Sequence, residues 1–108
     1  RVWDSGIALA RWVHAHGEEL EDKDVLELGS GCGLVGLAAA RKARRARLTD
    51  GEARLLANLR HNAHLACSEA AGAVEVEHLD WSAEPAALRE AHGTFDVVLA
   101  ADLVYSSG

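Results

Sequence analysis

The chain has 108 residues, with 17 acidic and 11 basic side chains and a formal net charge of −6. This length fits one domain, and a composition that is 49% hydrophobic and 26% charged is typical of an ordinary globular protein. The acidic balance argues against a protein that binds nucleic acid phosphates over its whole surface. No apolar run approaches the roughly 18 residues that a membrane span needs, so we expect no membrane partner.

The side chains that could form disulfides or bind metal do not form a recognisable cluster. Cys32 and Cys67 make neither a CxxC motif nor a disulfide framework. Free cysteines are typical of reducing compartments, and we therefore expect a cytoplasmic protein, with the nucleus as the alternative. The histidines include two close pairs, His14 with His16 and His61 with His64. Neither pair has an evident third ligand, so we expect no metal site.

The hydrophobic pattern predicts that helices and strands alternate along the chain. A leading helix is predicted over residues 1–17, with Gly17 as its stop signal and an acidic link at 18–23. The predicted strands are 24–28, 47–50, 73–79 and 95–101, of which the third alternates polar and apolar residues as an edge strand does. The predicted crossover helices are 33–43, 52–66 and 82–92. This order predicts the α/β class, with a Rossmann-like, doubly wound parallel sheet and right-handed crossovers.

The segment from Val25 to Gly36 joins the first predicted strand to the helix after it. It reads VLELGSGCGLVG, so glycines at 29, 31, 33 and 36 follow a strand that carries Glu27 near its end. Glycine permits positive φ and a close approach of the backbone to a ligand. The last six residues match GxGxxG, the fingerprint of dinucleotide sites. The match alone is weak, because Glu27 would repel the pyrophosphate that such a site holds at its helix N-terminus.

Polar residues lie at the carboxyl end of each predicted strand, at the edge of the sheet where folds of this kind bind ligands. These residues are Glu27, Asp50, Asp80 with Trp81, and the segment from Asp102 to Tyr105. A cleft lined by carboxylates favours a cation over a phosphate, and S-adenosylmethionine carries a sulfonium and an ammonium group without any phosphate. Asp50 can accept hydrogen bonds from the ribose hydroxyls of either kind of cofactor, so it does not discriminate between them.

Several motifs together resemble methyltransferase family 16, a branch of the seven-β-strand methyltransferases that includes the elongation factor 2 lysine methyltransferase group. VLELGSGCGLVGLAAA resembles motif I of these enzymes, and LTD, LDW and AADLVY resemble their later motifs. VWDSGIALARWV resembles the segment before motif I, so the resemblance runs from Val2 to Tyr105. It implies the N-terminal part of that fold, in which residues 1–108 form an S-adenosylmethionine-binding domain that is incomplete at its C-terminus.

The resemblance also implies an activity and a set of site residues. A protein-lysine methyltransferase moves a methyl group from S-adenosylmethionine to a lysine side chain of a protein substrate. Asp102 and Tyr105 match the DxxY motif at the acceptor pocket, and we expect them to be the catalytic residues. The residues expected to bind the cofactor are Trp3, Glu27, Gly29, Gly31, Gly33, Asp50, Asp80, Trp81 and Ala101. We expect the complete protein to be a monomer without a nucleic acid partner.

Two other interpretations stay open. A small-molecule or nucleic-acid methyltransferase would use the same cofactor site, although Asp102-Leu-Val-Tyr105 lacks the two prolines typical of DNA amino-methyltransferases. A non-catalytic module that binds a partner would need neither the intact glycines nor the acids. The tryptophans also have a second interpretation, because Trp3 and Trp81 would fit as core aromatics.

Five of the eleven basic residues lie within residues 41–47. A helix C-terminus favours cations, and we expect this cluster to form the last turn of the helix at 33–43, with a local RNA or partner patch as the alternative. Family members often have glycine where this chain has Arg44-Arg45-Ala46, which leaves the shape of that turn open. Asn62 lies inside a predicted helix, where we expect an exposed polar residue.

Overall fold

The computed structural model describes residues 2–79 and 93–100, with side chains described from Ile7 onward. Its helices are α1 (Val2–Ala15), α2 (Gly17–Leu20), α3 (Leu34–Ala40) and α4 (Ala53–Ala66), the last followed by a 3₁₀ turn (Cys67–Glu69). Its strands are β1 (Asp24–Glu27), β2 (Arg45–Asp50), β3 (Ala73–His78) and β4 (Val97–Leu99). None of the described helices is long and apolar enough to cross a bilayer.

The described strands form one parallel sheet in the order β3-β2-β1-β4. The chain runs outward from β1 through β2 to β3 and then returns to the other side of β1. This arrangement confirms the predicted doubly wound sheet, and β3 lies at its edge as its alternating pattern indicated. The reversal of direction between β1 and β4 creates the crevice in which such sheets bind ligands. The glycine-rich segment after β1 therefore begins at that crevice.

Two apolar clusters hold the helices on the sheet, and α3 contributes to both. One cluster joins α1, α2 and α3 to β1 and β4 through the buried residues Val13, Leu20, Val25, Val35, Ala39, Ala43 and Leu99. The other joins α3 and α4 to β2 through Ala40, Ala46, Leu48, Leu56 and Leu59. Because the residues of α3 that face the strands are mostly small, this helix packs closely against β1 and β2.

A second short helix replaces the predicted acidic link. α1 ends at Ala15, as the stop signal at Gly17 predicted, but Gly17 is also the first residue of α2. The side chain of Leu20 is 1% exposed and belongs to the first apolar cluster. The chain must fold back toward the core directly after α1 to bury this leucine, and the acids around Leu20 concealed that requirement in the sequence.

The α3 helix ends at Ala40, three residues earlier than predicted, and β2 begins at Arg45, two residues earlier. The amides of Arg44 and Arg45 donate to the carbonyl of Lys23 at 2.9 and 3.3 Å. These bonds align the chain with the segment before β1, so the helix stops and the strand starts early. The predicted helix at 82–92 lies outside the described residues, and β4 is shorter than the predicted strand at 95–101.

The basic residues at 41–47 do not form the last turn of a helix, so that prediction is wrong. Arg41 and Lys42 follow α3 directly, but the other three lie at or within β2. Arg44 makes two bonds to the carboxylate of Asp24, at 2.7 and 3.0 Å. The remaining pairs are Arg45 with Asp24 at 3.4 Å, Arg47 with Glu75 at 2.8 Å and Arg41 with Glu69 at 3.5 Å. Acids from β1, β3 and the 3₁₀ turn thus neutralise most of the cluster, which argues against the RNA patch.

The turn before β2 forms without the glycine that family members often have there. Among the residues that the structure describes, Asp22 alone has a positive φ without being glycine. Arg44 and Arg45 therefore take ordinary backbone conformations. A glycine is needed nearby at Gly72 instead, where a Cβ atom would overlap the carbonyl of Arg44. That contact lets β3 begin directly beside β2.

The Asp24 ion pair makes stability depend on pH. The hydrogen bonds and charge of Arg44, with the charge of Arg45, hold the pKa of Asp24 below its usual range. The stabilisation is therefore fully present above the unfolded-state pKa of about 3.9 and is lost as pH falls through the lower folded-state value. We expect Asp24→Asn to lower the urea midpoint at pH 7 and to differ much less from the parent protein near pH 2.5.

Glu77→Gln is the control, because Glu77 is exposed on β3 and no ion pair to it is seen among the described residues. We expect a smaller loss at pH 7 for this variant. An equal loss for Asp24→Asn at both pH values would show that the pair contributes nothing through its charge.

Candidate cofactor site

Residues 29–33 form a tight loop, here called the glycine turn, between β1 and α3. Gly29, Gly31 and Gly33 have φ values of +70°, +56° and +95°, in the left-handed region that other residues rarely adopt. A Cβ on Gly33 would also lie 2.9 Å from a methyl carbon of Leu59. A Cβ on Gly31 would meet nothing within 4 Å. The turn therefore presents bare backbone to open space at Gly31, where a ligand can approach.

Glu27 fastens the start of α3, directly after the glycine turn, from the side of β1. Its side chain is 3% exposed, and its Oε1 accepts a hydrogen bond from the amide of Gly36 at 3.1 Å. Its main-chain carbonyl accepts a hydrogen bond from Thr49 Oγ1 at 2.6 Å. Gly36 lies in the first turn of α3, where amides have no partner within the helix. The Glu27 carboxylate thus fixes the start of α3 relative to β1 and β2.

Asp50 fastens the same turn from the side of β2. Its Oδ2 accepts a hydrogen bond from the amide of Gly31 at 2.9 Å, and its Oδ1 accepts one from the amide of Glu52 at 2.9 Å. The amide of Ser30 donates to the carbonyl of Thr49 at 2.7 Å, next to this contact. Each carboxylate oxygen has two acceptor sites, so Asp50 supports the turn and keeps capacity for a further donor such as a ribose hydroxyl.

Asn62 fastens the turn from the side of α4. It was predicted to be an exposed polar residue, and the structure shows it half-buried, with a hydrogen bond at the surface that the prediction did not include. Its Nδ2 donates to the main-chain carbonyl of Cys32 at 2.8 Å. The sequence does carry a weak signal for this role. Asn62 lies three residues after buried Leu59 and directly before buried Ala63, so it borders the face of α4 that packs inward.

The charges around the turn fit a cation better than a phosphate. Glu27 and Asp50 are acidic, and neither lysine nor arginine occurs between residues 24 and 40. A pyrophosphate would find no side-chain cation on this segment. A sulfonium or ammonium group would lie near the Asp50 carboxylate, with the buried charge of Glu27 behind the turn. The bare backbone at Gly31 and the acids together fit S-adenosylmethionine, which is the cofactor that the resemblance implies.

The comparison with protein families decides the classification. A family model described as lysine methyltransferase, methyltransferase family 16, matches residues 1–108. The chain belongs to this family. The match confirms the resemblance that the glycine turn and the later motifs indicated.

Curated relatives support the same classification. Protein N-lysine methyltransferase METTL21A of Xenopus tropicalis is 32% identical over 107 residues, which cover 96% of this chain and 46% of the relative. Protein-lysine N-methyltransferase EEF2KMT of Mus musculus is 34% identical over 115 residues, which cover 96% of this chain and 34% of the relative. This chain therefore spans less than half the length of these relatives.

Solved structures share the fold at low sequence identity. The YcgJ protein of Bacillus subtilis has a TM-score of 0.67 and 16% identity, over 86% of this chain and 37% of its own. Magnesium protoporphyrin IX methyltransferase of Synechocystis PCC 6803, crystallised with bound SAH, has a TM-score of 0.67 and 15% identity, over 90% and 40%. At these identities the likeness shows the fold alone.

The structure of this family member brings together five of the residues predicted to bind the cofactor. They are Glu27, Gly29, Gly31, Gly33 and Asp50. The other predicted site residues lie outside the described part of the structure, and their roles stay predictions. They are Asp80, Trp81, Ala101, Asp102, Tyr105 and the side chain of Trp3. Within the described part, no group of three or more histidine, cysteine or acidic side chains could hold a metal ion.

Ser30 carries a buried hydroxyl that the turn does not use. The residue is 7% exposed, and its Oγ has no hydrogen-bond partner in the described structure. A buried polar atom without a partner costs about 1–3 kcal/mol. We therefore expect Ser30→Ala to leave the free energy of unfolding unchanged or to raise it by about 1 kcal/mol.

Thr49→Val is the control for Ser30→Ala in a urea unfolding series. The Thr49 hydroxyl is also buried, but it donates to the Glu27 carbonyl, so its removal should cost about 1 kcal/mol or more. A loss for Ser30→Ala as large as that for Thr49→Val would mean that the Ser30 hydroxyl does have a partner.

Proposed function

We propose that this chain is the cofactor-binding part of an S-adenosylmethionine-dependent methyltransferase that acts on a lysine side chain of a protein. The observation that carries the proposal is the glycine turn, in which three glycines have positive φ and Asp50 accepts a hydrogen bond from the amide of Gly31. Glu27 bonds to the helix directly after the turn, and residues 24–40 contain neither lysine nor arginine. Membership of the lysine methyltransferase family supports S-adenosylmethionine as the cofactor and a lysine as the acceptor. The names of the curated relatives, which denote protein-lysine methyltransferases, support the acceptor further.

The backbone of the glycine turn and the side chains around it would bind different parts of the cofactor. The open backbone at Gly31 would lie under the methionine part of the cofactor, and Asp50 would accept hydrogen bonds from the ribose hydroxyls. By resemblance, Asp80 and Trp81 would flank the adenine, and Trp3 would pack near the methionine end. When bound, the cofactor supplies a methyl group on a positively charged sulfur, and a nucleophile displaces that sulfur in line.

The acceptor end requires positioning more than acid–base catalysis. A neutral thioether is a good leaving group and needs no proton, so the protein has to align the amine with the methyl group. A lysine amine has a pKa of about 10.4 in water, and a desolvated pocket favours loss of its proton. We propose that Asp102 orients the lysine ammonium as it docks and that the Tyr105 ring faces it. The Asp102 charge opposes loss of the proton, and the desolvated amine releases it to water before it attacks the methyl carbon, with no dedicated general base.

Transfer of a labelled methyl group tests this proposal against the alternatives. The full-length protein and cofactor labelled on the methyl group are incubated separately with whole-cell protein, with whole-cell RNA and with the small-molecule fraction of a cell extract. We expect label in protein alone, recovered as methyl-lysine after hydrolysis, and loss of transfer in Asp102→Asn with retained binding of S-adenosylhomocysteine. Label in RNA or in small molecules would contradict the lysine acceptor. Cofactor binding without any transfer would favour the non-catalytic module.

We also propose a cytoplasmic or nuclear location and a monomeric state. Cys32 and Cys67 are both exposed and free, which fits a reducing compartment. Fluorescence microscopy of the tagged protein and light scattering of the purified protein would check the two points. A secreted protein or a stable dimer would contradict them.

A further inference from the structure

We propose that Asn62 is a positioning residue, whose amide holds the glycine turn in the conformation that binds the cofactor. The inference rests on the proposed cofactor and adds a residue on α4 that belongs to neither the glycine motif nor the acids after the strands. Asn62 acts through the main chain of Cys32, 30 residues earlier in the sequence.

The glycine turn needs outside support because its own side chains supply little. Three of its five residues are glycines with positive φ, and glycine loses more conformational freedom on folding than any other residue. The Cys32 side chain is exposed, so packing does not hold that part of the turn. Hydrogen bonds to the main chain are therefore the means by which the surrounding structure can fix the turn.

Asp50 and Asn62 hold adjacent parts of the turn by opposite hydrogen-bonding roles, one as an acceptor and the other as a donor. Asp50 accepts from the amide of Gly31 at 2.9 Å, and Asn62 donates to the carbonyl of Cys32 at 2.8 Å. One contact fixes an N–H group and the other fixes a C=O group two peptide units further along. Together they determine the direction in which the backbone of Gly31 and Cys32 faces the open space beside the turn.

The chemistry of the Asn62 contact requires a donor. A carbonyl oxygen only accepts, so an ionised carboxylate in place of the Asn62 amide would face it with lone pairs and repel it. An alanine would leave the Cys32 carbonyl without its partner and free the turn to sample other conformations. Because only the fraction of molecules with the correct turn binds the cofactor, apparent affinity falls in proportion to that fraction.

The test compares Asn62→Ala with Asn58→Ala in the full protein. Asn58 is exposed on the same helix, so the two variants share the change in helix propensity and differ in the contact with Cys32. By calorimetry with S-adenosylhomocysteine, we expect Asn62→Ala to weaken binding by about 3- to 10-fold and Asn58→Ala to leave it unchanged. With saturating cofactor, kcat should stay close to the parent value in both variants, because the contact acts on binding.

Hydrogen exchange of the ligand-free protein gives a readout that does not depend on the cofactor. We expect faster amide exchange across residues 29–36 in Asn62→Ala, with β1 and β2 protected as in the parent. If the parent protein fails to bind S-adenosylhomocysteine, the proposed function falls, while the exchange result still decides the role of Asn62. Faster exchange throughout the sheet would show a general loss of stability and overturn the positioning role.

Asn62→Asp adds a chemical rescue. At pH 8 the new carboxylate should weaken S-adenosylhomocysteine binding more than alanine does. Near pH 4, close to the ordinary aspartic acid pKa of about 3.9, nearly half of this carboxyl is protonated and can donate to the Cys32 carbonyl, so the deficit relative to Asn62→Ala should shrink. The proposal would be overturned if Asn62→Ala bound S-adenosylhomocysteine as tightly as Asn58→Ala does. It would also be overturned if the ratio of the affinities of Asn62→Asp and Asn62→Ala stayed constant across pH.

Discussion

Replacing Gly36 with alanine is expected to lower the free energy of unfolding by about 3 kcal/mol, at the upper end of overpacking costs. The added Cβ would lie 2.5 Å from Glu27 Oε1 and 2.6 Å from Leu48 Cγ. Neither neighbour can move away easily. Glu27 is buried and bonded to the amide of Gly36, and Leu48 is fully buried under α3 and α4. The helix would have to lift from β1 and β2, and the glycine turn attached to it would shift.

Gly51→Ala is the control for this substitution. A Cβ on Gly51 would come no closer than 3.4 Å to its nearest neighbour, the carbonyl of Leu79, and the residue is exposed. Urea unfolding followed by circular dichroism should show a change within about 0.5 kcal/mol for this variant. Similar midpoints for the two variants would show that α3 does not pack as closely on the sheet as described.

Replacing Asp50 with alanine is expected to weaken binding of S-adenosylhomocysteine by about 100-fold. Two amides lose their acceptor at once, those of Gly31 in the glycine turn and of Glu52 before α4. Hydrogen bonds to charged groups contribute about 1.5–3 kcal/mol each, so the loss of one such contact from the bound state already accounts for this effect. The proposed acceptor of the ribose hydroxyls disappears with the same side chain.

Two further variants separate the roles of Asp50. Asp50→Asn keeps the shape but retains one acceptor oxygen, so it should fall between alanine and the parent. Glu52→Gln removes a neighbouring exposed charge, paired with Arg54 at 2.9 Å on the surface, and should change affinity less than twofold. Calorimetry and thermal melts of each variant distinguish lost binding from lost stability. Binding within threefold of the parent for Asp50→Ala would remove Asp50 from the site.

The glycine turn and the acids beside it could be predicted because the residues that indicate them lie next to each predicted strand in the sequence. Gly29, Gly31 and Gly33 follow an apolar run, and positive φ at such positions is a property of the residue itself. The positions of Glu27 and Asp50 beside the turn could be predicted because strand ends in a parallel sheet meet at one edge. The order of the strands followed from the same alternation of strands and helices.

The remaining features depend on contacts between distant parts of the chain. The arginines of β2 were assigned to a helix end because their partners become visible only once Arg45 is aligned with Asp24 and Arg47 with Glu75. The early end of α3 follows from bonds to Lys23, about 20 residues before it. Asn62 was missed for the same reason, because the apolar residues Leu59 and Ala63 show only that it borders the packed face of α4 and do not indicate a bond to residue 32.

Calorimetric titration with S-adenosylhomocysteine, and separately with a nicotinamide dinucleotide, tests the central claim most directly. The purified protein should bind S-adenosylhomocysteine saturably, at one site per chain, and should lose that binding in Asp50→Ala. It should give no heat of binding with the dinucleotide, because the turn offers carboxylates and no cation to a pyrophosphate. Binding of the dinucleotide without binding of S-adenosylhomocysteine would contradict the account of the glycine turn.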